Sequence, residues 1–219
     1  MIKKIILIGG GGHCKSIIDS IVTSNEYEIM GILDIECNIG KRVCSIPIIG
    51  TDNELVELYK SGIEYAFITI GTIGNWSIVK NLYDKLCSIG FKIPTIIDKT
   101  AILAKNVDVG PGCYIGKGVI VNSDASIGEM TVINTGSIVE HDCKVESFVH
   151  ISPSTTICGN VKIDKYTHVG AGSTIVQGIS IGRETLIGAG SVVVSNIQSN
   201  IKAFGVPCKE IGEWKSIFL

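Results

Sequence analysis

Sixteen consecutive six-residue units fill the second half of the chain, each with an aliphatic residue at the same phase, from Leu103, Val109, Ile115, Val121 and Ile127 through Ile181, Ile187 and Val193. Two residues earlier stands a small or β-branched residue, as in Ala101, Cys113, Ala125, Ser137, Thr155, Thr167, Ser173 and Ser191. A glycine often follows, as in Gly110, Gly116, Gly128, Gly170, Gly182 and Gly188. This is a hexapeptide repeat. Positions two apart on a strand point the same way, so each unit reads as a short strand. The glycines are expected to supply positive φ in the turns between strands. Three strands then close a triangular coil, and eighteen residues later the chain lies about 4.8 Å higher on the same face. Each aliphatic residue is buried between those above and below it, in a column that no single repeat could form alone.

The first ninety-odd residues follow another rule, with strand and helix signals alternating. Lys3–Ile8 reads as a buried strand, followed by Gly9-Gly10-Gly11-Gly12-His13 and a helix to about Ser24. Glu28–Leu33 reads as strand, Asp52–Lys60 as helix, Tyr65–Ile70 as strand, Asn75–Ile89 as helix and Phe91–Ile97 as an extended segment limited by Pro94. The pattern is βαβαβ, a small Rossmann-like parallel sheet with crossover helices. The expected divisions are residues 1–97 for this domain, 98–198 for the repeats and 199–219 for a tail.

Four glycines after a strand let backbone N–H groups approach a phosphate closely, and the helix that follows points its positive end at the same place. Asp34 ends the second strand twenty-one residues after His13, near the spacing at which an acidic residue meets a ribose hydroxyl; the nucleotide base is an equal possibility. Cys14 replaces the third glycine of the dinucleotide fingerprint, and a tight turn without ligand is the plain alternative. Gly71 would put a second bare backbone edge at the carboxyl end of the sheet, where ligands of such folds bind.

Charge and composition exclude several classes. A net charge of −2 leaves no electrostatic footprint for nucleic acid, and no basic amphipathic helix argues for a membrane surface. No stretch approaches the roughly 20 apolar residues that cross a bilayer. The run Ile5–Ile8 is too short for the apolar region of a signal peptide, so the cytoplasm is expected. Eight cysteines without a CxxC pair, with Cys113 and Cys143 at the small inward position of the repeat, read as reduced core residues.

Three of the four histidines fall in the repeats. His141 stands at a turn between Glu140 and Asp142, where an acidic neighbour could hold the neutral tautomer and raise basicity, as a general base near neutral pH requires. A solvated turn histidine is the alternative. His150 and His168 occupy outward strand positions eighteen residues apart, so they are expected to stack on adjacent coils.

Taken in order, the Gly-Gly-Gly-Gly-His-Cys-Lys loop, the small α/β domain, Asn134-Thr135-Gly136…Glu140-His141-Asp142…His150-Ile151-Ser152-Pro153 and the tail Gly205-Val206-Pro207-Cys208-Lys209 resemble the sugar O-acyltransferase family. That family includes sialic acid O-acetyltransferases and N-acetyltransferases of nucleotide-linked 4-amino-4,6-dideoxy sugars. The resemblance implies a left-handed parallel β-helix, acetyl transfer from acetyl-CoA, and a homotrimer with active sites between subunits. It implies His141 as catalytic base with Asp142 supporting it, His150, Ala171 and Ala189 along acetyl-CoA, and Gly11, Gly12, His13, Asp34 and Gly71 around a nucleotide sugar. A uridine-linked amino sugar is the preferred acceptor, with O-acetylation of sialic acid or another sugar as the alternative. The tail departs from the family's Gly-Asn-Pro-Ala-Lys form at Val206 and Cys208, which weakens any role for Lys209 at the CoA phosphates.

Direct attack of the sugar amine on the thioester needs neither a metal nor a covalent enzyme intermediate. Two other classes compete. A γ-carbonic-anhydrase-like zinc site uses a similar trimer, but spacings of nine and eighteen lack the closely spaced histidine pair expected there. A non-catalytic nucleotide-sugar-binding protein would keep its ligand after loss of His141.

Overall fold

In a computed structural model, described for residues 2–74 and 76–214, the chain forms two compact units. The first comprises residues 1–71 and 77–96, and the second residues 72–76 and 97–219. In the first, strands β1 (Lys3–Ile8), β2 (Tyr27–Leu33), β3 (Arg42–Val43), β4 (Ile46–Gly50) and β5 (Tyr65–Ile68) make one sheet in the order β3-β4-β2-β1-β5. The pairs β1–β2, β1–β5 and β2–β4 are parallel, as crossover connections demand. Helices α1 (Gly12–Ser24), α2 (Leu55–Lys60) and α3 (Ser77–Ile89) complete the unit. Ile5, Ile6 and Leu7 of the central strand are fully buried, as a run apolar on both faces requires.

The hairpin β3–β4 was not expected from sequence. Its antiparallel pair, Arg42↔Pro47 and Val43↔Ile46, tolerates Pro47, and β4 then lies parallel to β2 through Ile32↔Ile48. The segment expected to run extended from Phe91 to Ile97 is a strand only at Ile96–Ile97, with an isolated bridge from Lys92 to Tyr65. Asn75, the expected start of the third helix, lies outside the described residues, and α3 begins at Ser77.

The second unit is a left-handed parallel β-helix. Its two-residue strands pair with partners eighteen residues on, as in Ile102↔Ile120↔Ile138↔Thr156↔Thr174↔Val192. The residue before each inward aliphatic points outward, which gives the three faces distinct chemistry. The aliphatic face presents the residues just named. The lysine face presents Asp108, Ser126, Lys144, Lys162 and Ser180. The histidine face presents Tyr114, Val132, His150, His168 and Leu186.

Inside, the aliphatic column is buried, with Ile133, Val139, Ile151, Ile157, Ile163, Val169, Ile175, Ile187 and Val193 all at 0% exposure. The small inward position answers a second need. Thr131, Ser137, Thr167 and Ser173 donate their hydroxyls to carbonyls fifteen residues on, at 2.8–3.1 Å. The thiols of Cys113 and Cys143 do the same toward Gly128 and Cys158. Turn carbonyls that would be stranded beside an apolar column are thereby satisfied.

The role expected for the turn glycines is corrected. Gly110, Gly116, Gly128, Gly170, Gly182 and Gly188 do not have positive φ. The left-handed residue lies two positions later, at Gly112, Gly118, Asp124, Met130, Gly136, Asp142 and their successors. The earlier glycines are needed because a Cβ would strike the next coil: at Gly128 it would lie 2.4 Å from the backbone nitrogen of Ser147, and at Gly170 2.4 Å from that of Ala189.

Candidate active site

The glycine loop opens at the carboxyl end of β1. Gly9 takes φ of 105°, its N–H donates to Leu33 O, and Thr69 Oγ1 donates to Ile8 O, which fixes where the loop departs. Gly11 is the N-cap of α1 and makes no side-chain cap hydrogen bond, and the Cys14 N–H donates to Gly11 O at 3.2 Å. Around this turn Gly9, Gly10, Gly11, Gly12, His13, Asp34, Asn38, Ile70 and Gly71 line a cavity of about 460 Å³. All five residues assigned by resemblance to the nucleotide sugar therefore meet at one place. A Cβ on Gly11 or Gly12 would meet nothing within 4 Å, so those positions face free space.

Asp34 is more constrained than expected. Its Oδ2 accepts from Gly10 N–H and from Asn38 Nδ2, both at 3.1 Å, and its Oδ1 accepts from Ile35 N–H at 2.8 Å. A carboxylate has about four acceptor sites, so one is left for a ligand hydroxyl. Asn38 was missed in the sequence because it ends a single 3-10 turn, Glu36–Asn38, too short to leave a periodic signal. Asp34 also lines a neighbouring cavity of about 590 Å³ with Ile35, Glu36, Thr51, Asn53, Asn81 and the Asp52–Lys85 ion pair (2.7 Å). Those groups provide hydrogen-bonding side chains beside apolar walls, which suits a nucleoside.

His141 lies on the corner between the aliphatic and lysine faces. Asp142 adopts φ of 60°, and this turns its carboxylate back onto the preceding ring, with 2.8 Å between His141 Nδ1 and Asp142 Oδ2. A carboxylate only accepts, so the bond assigns the proton to Nδ1 and leaves the Nε2 lone pair free. The bond to Asp142 raises the imidazole above its ordinary value, with the charges of Asp142 and Glu140 adding to it. Both side chains are about 60% exposed, so the free nitrogen is open to a substrate. An exposed imidazole with an orienting carboxylate and a free nitrogen can take a proton from an attacking nucleophile.

His150 and His168 lie over one another on adjacent coils as expected, their rings edge to face with centroids 4.8 Å apart, but they are not open to solvent. His150 donates from Nδ1 to the carbonyl of Thr72 at 3.0 Å, and Ser152 Oγ meets His168 Nε2 at 3.1 Å. Burial lowers both imidazoles, His168 to about 3 with the neighbouring His150 contributing. Thr72, whose carbonyl accepts the His150 bond, lies far away in sequence.

Ala171 and Ala189 are exposed at the corner between the histidine and aliphatic faces, one coil apart and joined by Gly190 N–H to Ala171 O at 2.8 Å. The His141 corner is the other edge of the aliphatic face, so a single chain does not bring the two sets together. Burial drives the thiols of Cys14 and Cys113 up to about 11 and about 12, so neither of these two is a ready nucleophile. Among the described residues no group of three or more His, Cys, Asp or Glu side chains could hold a metal ion, and no helix is long and apolar enough to cross a membrane.

The same two-unit architecture is found in the H141N mutant, in that protein's numbering, of perosamine N-acetyltransferase from Caulobacter crescentus, solved with CoA and GDP-perosamine. It is 32% identical, with a TM-score of 0.90, over 97% of this chain and 99% of that one. The chain belongs to the hexapeptide-repeat sugar N-acetyltransferase family. A further member of known structure is the acetyltransferase domain of PglB from Neisseria gonorrhoeae FA1090 in complex with acetyl coenzyme A, 26% identical over 96% of this chain and 100% of that one, with a TM-score of 0.85. The PglD N-terminal domain model matches residues 4–86, the part that carries the glycine loop. No curated protein sequence matches the chain.

Proposed function

We propose that this sugar N-acetyltransferase moves the acetyl group of acetyl-CoA onto the C4 amine of a nucleotide-linked 4-amino-4,6-dideoxy sugar, for glycan biosynthesis in the cytoplasm. The observation that carries the reading is the His141–Asp142 pair: an exposed imidazole, held through Nδ1 and free at Nε2, on the solenoid of an acetyltransferase family. The neutral amine attacks the thioester carbonyl, Nε2 of His141 takes the amine proton as the tetrahedral adduct forms, and collapse expels the CoA thiolate, which recovers the proton. General base catalysis of this kind contributes about 10²–10⁴-fold.

On this reading residues 1–97 hold the nucleotide sugar, with the diphosphate against Gly11, Gly12 and His13, a ribose hydroxyl at Asp34 and Gly71 beside the sugar. Binding energy from the nucleotide orients the reacting amine. Residues 98–198 carry the chemistry, with His150, Ala171 and Ala189 along acetyl-CoA and residues 199–219 as a closing tail. Since His141 and the two alanines occupy opposite edges of the aliphatic face, their union requires a second copy. Ile102, Ile120, Ile138 and Val192 on that face support closure of three copies into a ring, Ile102 being 64% exposed.

For the base, guanine is preferred over the uridine expected from sequence. The Caulobacter enzyme was solved with GDP-perosamine, and Glu36 offers a carboxylate in the nucleoside cavity that can accept from both donors of a guanine edge.

The test is thermal stabilisation by GDP-, UDP-, dTDP- and CMP-linked sugars, because a ligand bound only by the folded state raises its melting temperature. Stabilisation by a GDP-linked 4-amino sugar is expected. Stabilisation by UDP-sugars alone would restore uridine, by CMP-sialic acid alone would favour O-acetylation, and by none would remove the nucleotide-sugar reading.

A further inference from the structure

Gly159 lies eighteen residues after His141, at the same turn position one coil higher. In sixteen repeats this turn position is held by Lys105, Pro111, Ser123, Thr135, Ser147, Ala171, Arg183 and others, and by glycine only at 159. Backbone conformation does not explain the exception, since Gly159 does not have positive φ. Nor does the approach of another coil, which accounts for Gly128 and Gly170. The three atoms nearest to a Cβ built on Gly159 all belong to the His141 ring: Cε1 at 2.6 Å, Nε2 at 2.7 Å and Nδ1 at 3.2 Å. Gly159 is itself buried, although His141 is exposed, because the imidazole lies across it.

We infer that Gly159 is a positioning residue for the catalytic base, its missing side chain forming the seat on which the His141 imidazole rests. Two fixed points define the ring's position. Asn160 N–H donates to His141 O at 2.9 Å, so the backbones of the two turns are tied and cannot separate to admit a methyl group. Asp142 holds Nδ1 from the side. With a Cβ at 159 only the ring can yield, by rotating toward solvent. That rotation takes Nδ1 off Asp142 and moves Nε2 from its place. The exposed ring moves at little energetic cost, so the substitution affects position far more than stability.

The experiment is Gly159→Ala, followed by kinetics and by NMR titration of the His141 ring proton on Cε1. The expected results are an unchanged melting temperature, a kcat lowered about tenfold to a hundredfold with KM for the nucleotide sugar unchanged, and an imidazole pKa that falls toward its ordinary value of about 6.5. In a His141→Ala background the same change is expected to cost nothing more, because the group it positions is gone. A variant with full kcat and an unshifted titration would overturn the inference, and so would an equal loss in the His141→Ala background. Should Gly159→Ala fail to fold, the wild-type protein still decides, by a nuclear Overhauser contact between the imidazole proton and the Gly159 α protons; its absence overturns the inference. The kinetic readout rests on the proposed acetyl transfer. A wild type that transfers no acetyl group would sink that reading, while the titration and the contact would still test the seat.

Discussion

Gly10 and Asp34 share one oxygen: the Gly10 N–H donates to Asp34 Oδ2 at 3.1 Å, and a Cβ on Gly10 would lie 2.7 Å from that same oxygen. The glycine is therefore needed for the carboxylate to reach the loop, as well as for any approach of phosphate. Gly10→Ala is expected to displace Asp34 and weaken nucleotide-sugar binding by at least about tenfold, or about 1.4 kcal/mol. Isothermal titration with the sugar identified by thermal stabilisation measures it. An unchanged affinity would remove Asp34 from the proposed ribose contact.

Asp142→Asn tests the orienting carboxylate through pH. His141 must be neutral to accept a proton, and its bond to Asp142 raises its pKa, so the acid limb of kcat/KM lies above the ordinary histidine range. Without the negative charge the limb is expected to move to lower pH, toward about 6.5, while the plateau falls. A limb that stays in place would mean that the titrating group is not His141.

Stability should carry the mark of the buried histidines. Burial holds His168 neutral down to about 3, whereas in the unfolded chain it takes up a proton below about 6.5. The unfolded state then binds more protons, and stability rises with pH in that window. Stability is thus full above about pH 6.5 and is lost as pH falls toward 3. His168→Asn is expected to flatten this slope in urea unfolding between pH 6.5 and 4.5. An unaltered slope would assign the acid sensitivity to other groups.

The solenoid was legible because its period is enforced at every turn. A column of aliphatic residues at phase six has few other ways to be buried, and the outward alternation that follows correctly paired His150 with His168. The glycine loop was legible as a strand-to-helix turn for the same local reason. What could not be read depended on contacts distant in sequence. The partner of the His150 ring is the Thr72 carbonyl, seventy-eight residues away. The β3–β4 hairpin is too short, and too interrupted by Pro47, to declare itself. The turn glycines misled because glycine serves two purposes, a left-handed φ at Gly112 and clearance for the next coil at Gly110, and residue type alone does not separate them. Gly159 had a signal that went unused, as the one glycine at its phase.

The corrected role of those glycines is itself testable. Gly128→Ala sets a methyl group against the backbone of Ser147 and Glu146 and is expected to destabilise the fold by about 2 kcal/mol or more. At Gly118, where a Cβ meets nothing within 4 Å and only φ of 64° opposes it, alanine is expected to cost about 1 kcal/mol. Urea unfolding compares the two, and a reversed order would contradict the clearance argument.

Release of the CoA thiol, followed with a chromogenic disulfide, tests the central claim most directly. The account predicts release only when acetyl-CoA and a nucleotide-linked 4-amino sugar are both present, and a rate at least about a hundredfold lower in His141→Ala. Undiminished release from that variant, or release that ignores the amino sugar, would contradict it.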